Sequence, residues 1–236
     1  MNETANTRPR RADYQKEMEK ILCQLQEEKA LSQKSSLLLH ACCAPCSSYV
    51  LEYLSAYFNI TIYYYNPNIF PPQEYERRLQ ELVDFLPRFP PAQSGSVRLV
   101  QAEYNPEEFY RATDARNTPE LQTEEGRGER CRRCYLQRIK ESYSYACRNS
   151  FDYCTTTLSI SPYKDADKIN IIGRELEKDG TTRFLPADFK KKNGFLRSLQ
   201  ISRQYGLYRQ DYCGCVYSKQ NTERQRKEKN GSITHS

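Results

Sequence analysis

The sequence predicts an α/β fold, in which a parallel β-sheet is covered by helices on both faces. Short and continuously apolar runs, which are typical of strands buried in a parallel sheet, recur along the chain. Segments with helical periodicity separate these runs in units of about 30 residues, as right-handed βαβ crossovers require. The 236 residues are enough for one domain with a substantial core.

The predicted elements follow one another in a regular order. Residues 1–34 form a charged arm with a short docking helix, whose apolar residues at helical spacing are Met18, Ile21, Leu22 and Leu25. Strands are predicted at 36–40, 60–65, 97–102 and 152–158. Helices are predicted at 49–57, 72–86, from 105 onward, at 129–148 and at 165–178. Asn105 suits a helix cap, Pro106 suits a first helical position, and Gly180 suits a helix end.

Three segments complete the predicted organisation of the chain. Polar residues predict a loop at 117–128. Residues 35–218 form the main domain, which carries the candidate metal site. Residues 219–236 form a polar, basic tail without a hydrophobic pattern, which we expect to be mobile.

Composition excludes several classes of protein. No apolar run approaches the roughly 20 residues of a membrane-spanning helix, and the polar N-terminus does not resemble a signal peptide. We therefore expect a cytoplasmic protein that does not bind membranes. In that reducing compartment, ten cysteines indicate metal binding or redox chemistry more than structural disulfides.

Two cysteine pairs are candidate metal ligands. Cys42 and Cys43 directly follow the first strand, where open parallel sheets bind their ligands. Cys131 and Cys134 are three residues apart and share one face of the predicted helix. Neighbouring arginines are expected to lower the thiol pKa of Cys131 and favour the thiolate. Together the pairs supply four thiolates, the ligand count of a [4Fe–4S] cluster or of a structural zinc.

Other cysteines allow different interpretations. Cys43 and Cys46 form a CxxC motif between a strand and a helix, the setting of a thioredoxin-like dithiol. Cys213 and Cys215, separated by one glycine, can close a small strained disulfide of the redox-active kind, or can be further metal ligands. The isolated cysteines are expected to be small buried hydrophobic residues: Cys23, Cys147 and Cys154.

Two basic segments lie beside these cysteines. Residues 127–140 and 188–209 each contain six basic residues and one acidic residue, within a chain of net charge +6. Such runs are either solvated faces or contacts to a nucleic acid. Tyr205, Tyr208 and Tyr212 are candidates for stacking on unpaired bases. The cysteine-rich loop stands where a phosphate-binding loop would lie, and no GxGxxG or GxxxxGK motif is present, so no ATP, NAD or flavin is expected.

Taken together, these motifs resemble the QueH-type epoxyqueuosine reductases. The resemblance spans residues 35–218 and rests on these segments: 37–46, 65–69 with Glu74 and Tyr75, Cys131-x-x-Cys134, 155–164, 188–191, 208–215 and Ser218. It implies a three-layer parallel-sheet domain related to the ATP-pyrophosphatase (HUP-like) group, without a phosphate loop. It also implies an oxidoreductase that reduces epoxyqueuosine to queuosine at the wobble position of tRNA anticodons, the last step of queuosine biosynthesis.

The resemblance assigns roles to individual residues. It implies a [4Fe–4S] cluster on Cys42, Cys43, Cys131 and Cys134, and a redox-active disulfide between Cys213 and Cys215. Cys46 is a candidate either to replace one of these four ligands or to bind an additional metal beside them, which allows an additional iron, and no cobalamin is expected. Candidates for proton transfer or catalysis are Asp188 and His40. Candidates for substrate binding are Asn66, Glu74, Tyr75, Lys190, Lys191 and Arg197.

The expected partners are tRNA carrying epoxyqueuosine and an electron donor that the sequence does not identify. Two other classes of function fit part of the pattern. One is a tRNA-binding zinc protein without catalysis, and the other is a thiol–disulfide oxidoreductase that uses Cys43 and Cys46.

Overall fold

The computed structural model describes residues 12–29, 34–95, 97–124 and 126–233 and confirms the predicted fold class. Its centre is a five-stranded sheet in the order β3-β2-β1-β4-β5, with every neighbouring pair parallel. The strands are β1 (Ser35–His40), β2 (Phe58–Tyr64), β3 (Arg98–Gln101), β4 (Tyr153–Thr156) and β5 (Arg183–Phe184). The first four match the predicted strands, and the two-residue β5 escaped prediction because so short a strand has no recognisable pattern.

Ten α-helices in the described ranges accompany the strands. They are α1 (Tyr14–Lys29), α2 (Ala44–Leu54), α3 (Pro72–Phe85), α4 (Pro90–Ser94), α5 (Pro106–Thr113), α6 (Pro119–Thr123), α7 (Glu129–Arg148), α8 (Ala166–Glu177), α9 (Gly194–Gln204) and α10 (Val216–Ile233). None of these helices combines the length and the apolar character that a bilayer span needs.

Strand β1 is the centre of the molecule because both of its faces are buried. Leu37 and Leu39 pack into the larger core, which is formed with α1, α2, α3 and α9. Leu38 points to the opposite face and packs against Tyr143 and Ala146 of α7. A continuously apolar strand is what burial on both faces of a parallel sheet requires.

The strand order creates a crevice at the carboxyl ends of β1 and β4. After β1 the chain builds the sheet outward through β2 and β3, and it then returns to place β4 on the other side of β1. The loops that leave these two neighbouring strands therefore diverge. Such a point of divergence is where open parallel sheets bind ligands.

The N-terminal helix docks on the larger core as predicted. Met18 and Leu22 are buried there, and Ile21 and Leu25 pack partly against it. The prediction for Cys23 on the same helix is wrong: this thiol is exposed, because it lies on the face of α1 that turns away from the core. Cys154 is buried as expected, and Cys147 is half-buried.

Two other segments differ from their predictions. The predicted loop at 117–128 contains the short helix α6, which starts at Pro119 and is anchored by the buried Leu121. The tail after residue 218, where the sequence predicts no helix, continues as α10, and its mobility stays a prediction. Its first turn is held by the buried Tyr217 in a cluster with Phe109 and Cys134. Residues 229–236 were also part of the predicted mobile tail, but their side chains lie outside the described residues.

Gly173 of α8 provides a test of the packing between this helix and β5. A methyl group at this position would lie 2.2 Å from the buried ring of Phe184. We expect Gly173→Ala to lower the free energy of unfolding by about 1–3 kcal/mol, because overpacking outweighs the better helix propensity of alanine.

Urea denaturation followed by circular dichroism measures this effect. Gly126→Ala is the control, since among the described residues no atom beyond its chain neighbours lies within 4 Å of the added methyl group. Adding Phe184→Leu to Gly173→Ala should recover part of the loss. A Gly173→Ala protein as stable as the parent would contradict the close packing.

Candidate metal and redox site

The turn between β1 and α2 brings three cysteine sulfurs together. Cys42 and Cys43 occupy this turn, and their Sγ atoms are 3.9 Å apart. Cys43 is the N-cap of α2, where its sulfur accepts a hydrogen bond from the backbone N–H of Cys46 at 3.4 Å. The sulfurs of Cys42, Cys43 and Cys46 all lie within 4.8 Å of one another. Three sulfur ligands this close can hold a metal.

The same turn stabilises negative charge on sulfur. The pKa of Cys42 is held well below its ordinary value, mainly because the Cys43 thiol donates a hydrogen bond to its sulfur. The pKa of Cys46 is raised well above its ordinary value because its thiol donates to its neighbours. The side-chain amide of Gln210 also donates to the Cys43 sulfur at 3.2 Å. The pKa of Cys43 is nevertheless raised to about 12, mainly because its thiol donates to Cys42. The turn therefore carries one thiolate, on Cys42, and a metal bound by all three sulfurs would displace the protons of the other two.

A cavity of about 450 Å³ joins this turn to the other cysteines. Cys46, Cys131, Cys134, Cys213 and Cys215 all line it. Cys131 and Cys134 lie on the first turns of α7 and contribute to the same wall, as their three-residue spacing predicts. Five sulfurs from three distant parts of the chain thus face one space.

The expected effect of the arginines on Cys131 is wrong. Burial raises the pKa of the Cys131 thiol, and burial raises that of Cys134 to about 11. Arg132 and Arg133 do not offset this rise in the thiol pKa, because both are bound to Glu129, at 2.6 and 2.9 Å. These two thiols are therefore protonated at neutral pH until a metal displaces the protons.

The Cys213-Gly214-Cys215 loop has the geometry of a closely spaced dithiol. The two sulfurs are 3.9 Å apart, and both thiols are free. The pKa of Cys213 is held well below its ordinary value, mainly because Cys215 donates a hydrogen bond to its sulfur. The Ser218 hydroxyl oxygen lies 3.1 Å from the same sulfur, and this hydroxyl donates to the Cys215 carbonyl at 2.9 Å. Cys213 therefore provides a nucleophilic thiolate beside the thiol of Cys215.

Gly214 is required at the centre of this loop. Its φ of 125° is a conformation that residues with a side chain rarely adopt. A methyl group here would also lie 3.1 Å from Asn68 and Ile69 and 3.2 Å from Arg78. The Gly214 carbonyl accepts a hydrogen bond from Phe70 N–H at 2.8 Å, which fixes the loop against the end of β2.

Four of the predicted site residues are buried supports and do not line the cavity. His40 contacts Thr156 Oγ1 through Nδ1 at 2.7 Å and the Tyr65 carbonyl through Nε2 at 3.1 Å. Burial lowers its pKa to about 3, so the ring is neutral. Glu74 binds Arg78 at 2.6 Å, and the Tyr75 hydroxyl donates to the Ala102 carbonyl. Asn66 donates to the Ala41 carbonyl at 2.8 Å.

The four remaining predicted residues form ion pairs outside the cavity. Asp188 and Lys190 bind each other at 2.6 Å. Lys191 binds Asp13 at 2.9 Å, and Arg197 binds Glu52 through two hydrogen bonds of 2.6 and 2.8 Å. Lys191 and Arg197 remain accessible enough to contact a nucleic acid.

The basic segment at 127–140 is not a uniform surface. Arg130 and Arg138 are buried and line the cavity, so the interpretation of the whole segment as a solvated face is wrong for them. The reason is helical spacing: Arg138 follows Cys134 by four residues and therefore shares its face of α7. This four-residue spacing is the sequence signal that would have identified Arg138 as a cavity residue.

Residues near the cavity mouth were also missed by the sequence analysis. The buried Lys164 and the exposed Tyr163 line the cavity in the loop that follows β4, and Phe195 and Arg209 line it from the α9 side. Of the three tyrosines proposed to stack on bases, only Tyr212 lines the cavity. Tyr205 packs against Phe85 and Phe89 in the core, and Tyr208 lies beneath Arg77.

Comparison with known proteins places this arrangement in a family. Residues 37–221 match the family described as "Epoxyqueuosine reductase QueH". A QueH epoxyqueuosine reductase of Streptococcus pyogenes is 39% identical over 91% of this chain and 81% of its own length. Its counterpart in Staphylococcus epidermidis is 35% identical over 91% and 87%. That of Thermotoga maritima is 32% identical over 78% and 90%. The chain therefore belongs to the QueH family of epoxyqueuosine reductases.

Proposed function

We propose that this protein is a cobalamin-independent oxidoreductase that reduces epoxyqueuosine to queuosine at the wobble position of tRNA anticodons, the last step of queuosine biosynthesis. The observation that carries the proposal is the convergence of three cysteine groups on one cavity in a chain of the QueH family. In this proposal the enzyme works in the cytoplasm, with tRNA and an unidentified electron donor as its partners.

The residues present fit a thiolate-bound metal centre. Three buried or half-buried sulfurs lie within 4.8 Å of one another, and two more cysteines approach the same cavity from α7. In the proposed arrangement Cys42, Cys43, Cys131 and Cys134 hold one [4Fe–4S] cluster, and Cys46 is available as a ligand for an additional iron. When bound, such a cluster supplies electrons one at a time.

Cys213 and Cys215 provide a two-electron store in this proposal. Removing the epoxide oxygen as water and forming a carbon–carbon double bond consumes two electrons and two protons. Two thiols release the same number of both when their sulfurs join as a disulfide. The sulfurs must approach from 3.9 Å to the roughly 2.05 Å of a disulfide bond, and the external donor then restores the dithiol.

The cavity suits a single modified base taken out of the anticodon loop. Its volume of about 450 Å³ lies within the range of small-molecule sites. Tyr163 stands at its wall with 78% of its surface exposed, which suits stacking on an unpaired base. In this proposal the tRNA phosphates are contacted by Lys190, Lys191 and Arg197. The shape of the site depends on Asn66, Glu74 and Tyr75. Protons are transferred by Asp188 or His40.

The cluster assignment is tested by replacing one ligand. Cys131→Ala should bleach the anaerobically reconstituted protein near 400 nm and lower its iron content, because three thiolates do not complete the proposed set. Cys23→Ala is the control, since its thiol is exposed on α1, away from the cavity. Full colour and full iron in the Cys131→Ala protein would show the assignment to be wrong. A colourless parent protein that binds zinc would favour the zinc alternative.

The dithiol is tested by Cys213→Ser and Cys215→Ser. Each variant should keep its cluster and bind tRNA, yet lose multiple turnover of epoxyqueuosine-containing tRNA, because one thiol cannot form the disulfide. Nucleoside analysis of the digested tRNA measures turnover, and iron content is measured in parallel. Parental turnover in both variants would refute the redox role. Loss of iron in both would place the pair in the metal site instead.

The phosphate contacts are tested by neutralising Lys190, Lys191 and Arg197 to glutamine. We expect weaker tRNA binding and a salt dependence whose log–log slope falls by roughly 0.7–0.9 for each phosphate that the variant no longer neutralises, since fewer counterions are released. Lys178→Gln, at an exposed ion pair of α8, is the control. An unchanged slope in the triple variant would mean that these residues contact no phosphate and serve only their ion pairs within the protein.

A further inference from the structure

Arg138 and Lys164 are buried cations that the described residues do not neutralise. Only 2% of the Arg138 surface and 8% of the Lys164 surface are exposed, and both side chains line the cavity. Among the described residues, no carboxylate lies within ion-pair distance of either one. Arg138 donates one hydrogen bond to Asn66 Oδ1 at 2.6 Å, and its Nε has no partner. Such cations are costly to bury without an anion.

The rest of the cavity increases this excess of positive charge. Its described lining also includes Arg130, Arg209 and Arg224, against one carboxylate, Asp211. Asp211 is itself bound by Arg226. The described lining therefore carries more positive than negative side-chain charge, and an anionic group bound among these residues would compensate the excess.

The surroundings of the two cations show where that negative charge belongs. Lys164 lines the same cavity as Cys46 and Cys213. Burial by itself lowers the pKa of Lys164, but the net shift is upward because of the nearby sulfurs, of which Cys42 has the largest effect. Arg138 interacts with Cys134 and Cys42. Each cation therefore faces sulfurs from two different parts of the chain, and Cys42 faces both.

Arg138 also links the Cys131/Cys134 pair to the Cys42/Cys43 pair through hydrogen bonds. Its guanidinium donates to Asn66 Oδ1, and the Asn66 amide donates to the carbonyl of Ala41, the residue before Cys42. Arg138 lies one helical turn beyond Cys134. This chain of hydrogen bonds holds the α7 sulfurs at a fixed position relative to the β1–α2 turn.

We propose that Arg138 and Lys164 are positioning residues that form the fixed counter-charge of an anionic metal–thiolate centre in this cavity. The inference deepens the proposed function and rests on its metal centre. Four thiolates around Zn²⁺ carry a net charge of roughly −2, and a [4Fe–4S] cluster with four thiolates carries about the same. Two cations balance that charge. They favour metal binding, and they also favour the uptake of an electron.

The test compares Arg138→Gln and Lys164→Met with Arg132→Gln, a control on the same helix whose arginine is half-exposed and paired with Glu129. One measurement is the affinity of the reduced apoprotein for Zn²⁺, by competition with a chromophoric chelator. The other is the reduction potential of the anaerobically reconstituted cluster, by titration with redox dyes. Each cavity variant should bind Zn²⁺ at least tenfold more weakly and have a more negative potential. The control should match the parent.

The outcomes separate the counter-charge from simple structural support. Lys164→Arg keeps the charge and should restore both values, whereas a role in packing alone would not predict this rescue. Parental zinc affinity and parental potential in the two cavity variants would overturn the proposal. If Arg138→Gln does not fold, the comparison of Lys164→Met with Lys164→Arg tests the proposal. Equal zinc affinities and equal potentials in these two variants would overturn the proposal.

Neither measurement involves tRNA or turnover. A parent protein that forms no iron–sulfur cluster would contradict the proposed function. In that case the zinc affinities still decide whether these cations compensate the thiolates.

Discussion

The structure depends on placing charged sulfur inside the protein at one edge of a parallel sheet. Burial opposes a thiolate, so each sulfur that carries charge needs a hydrogen-bond donor or a cation nearby. At the β1–α2 turn the sulfur that carries charge is that of Cys42, and its donors are the neighbouring thiols of Cys43 and Cys46. The apolar β1 makes this arrangement rigid, because both of its faces are packed against cores. The cavity, the buried cations and the loops around them all follow from this one requirement.

Several residues that resemble functional groups in the sequence act here as supports for the sulfur-bearing loops. Arg78 is fully buried and paired with Glu74, and its guanidinium also donates to the carbonyls of Tyr212 and Cys213 at 3.4 Å. The Tyr208 hydroxyl donates to the same Glu74 carboxylate. A buried pair of this kind is destabilised strongly when one partner is lost. The Cys213–Cys215 loop thus takes its position from an ion pair on α3.

The distribution of positive charge has two distinct purposes in this fold. Exposed cations such as Lys191 and Arg197 pair with Asp13, which precedes α1, and with Glu52 of α2, and they connect the surface elements. Buried cations such as Arg138 and Lys164 have no such partners in the described part of the chain and point toward sulfur. The net charge of the chain does not distinguish the exposed cations from the buried ones. Only the groups near each cation decide whether it binds a carboxylate, a phosphate or a metal–thiolate centre.

The sequence by itself determined the α/β class, the order of the first four strands with their helices, and the placement of Cys42 and Cys43 after β1 and of Cys131 and Cys134 on α7. These inferences succeed because hydrophobic periodicity and the position of a residue at a strand end or on a helix face are local properties. The docking of α1 by Met18 and Leu22 was predictable for the same reason.

Tertiary structure alone decided which charged residues face the cavity. The pKa of Cys131 is raised because burial outweighs arginines that are already bound to Glu129. Cys46 joins Cys42 and Cys43 because the cap of α2 folds its first turn back onto them. Lys164 reaches the sulfurs because β4 lies beside β1 in the sheet. Burial and charge compensation depend on contacts between residues far apart in the chain, and no local pattern encodes them.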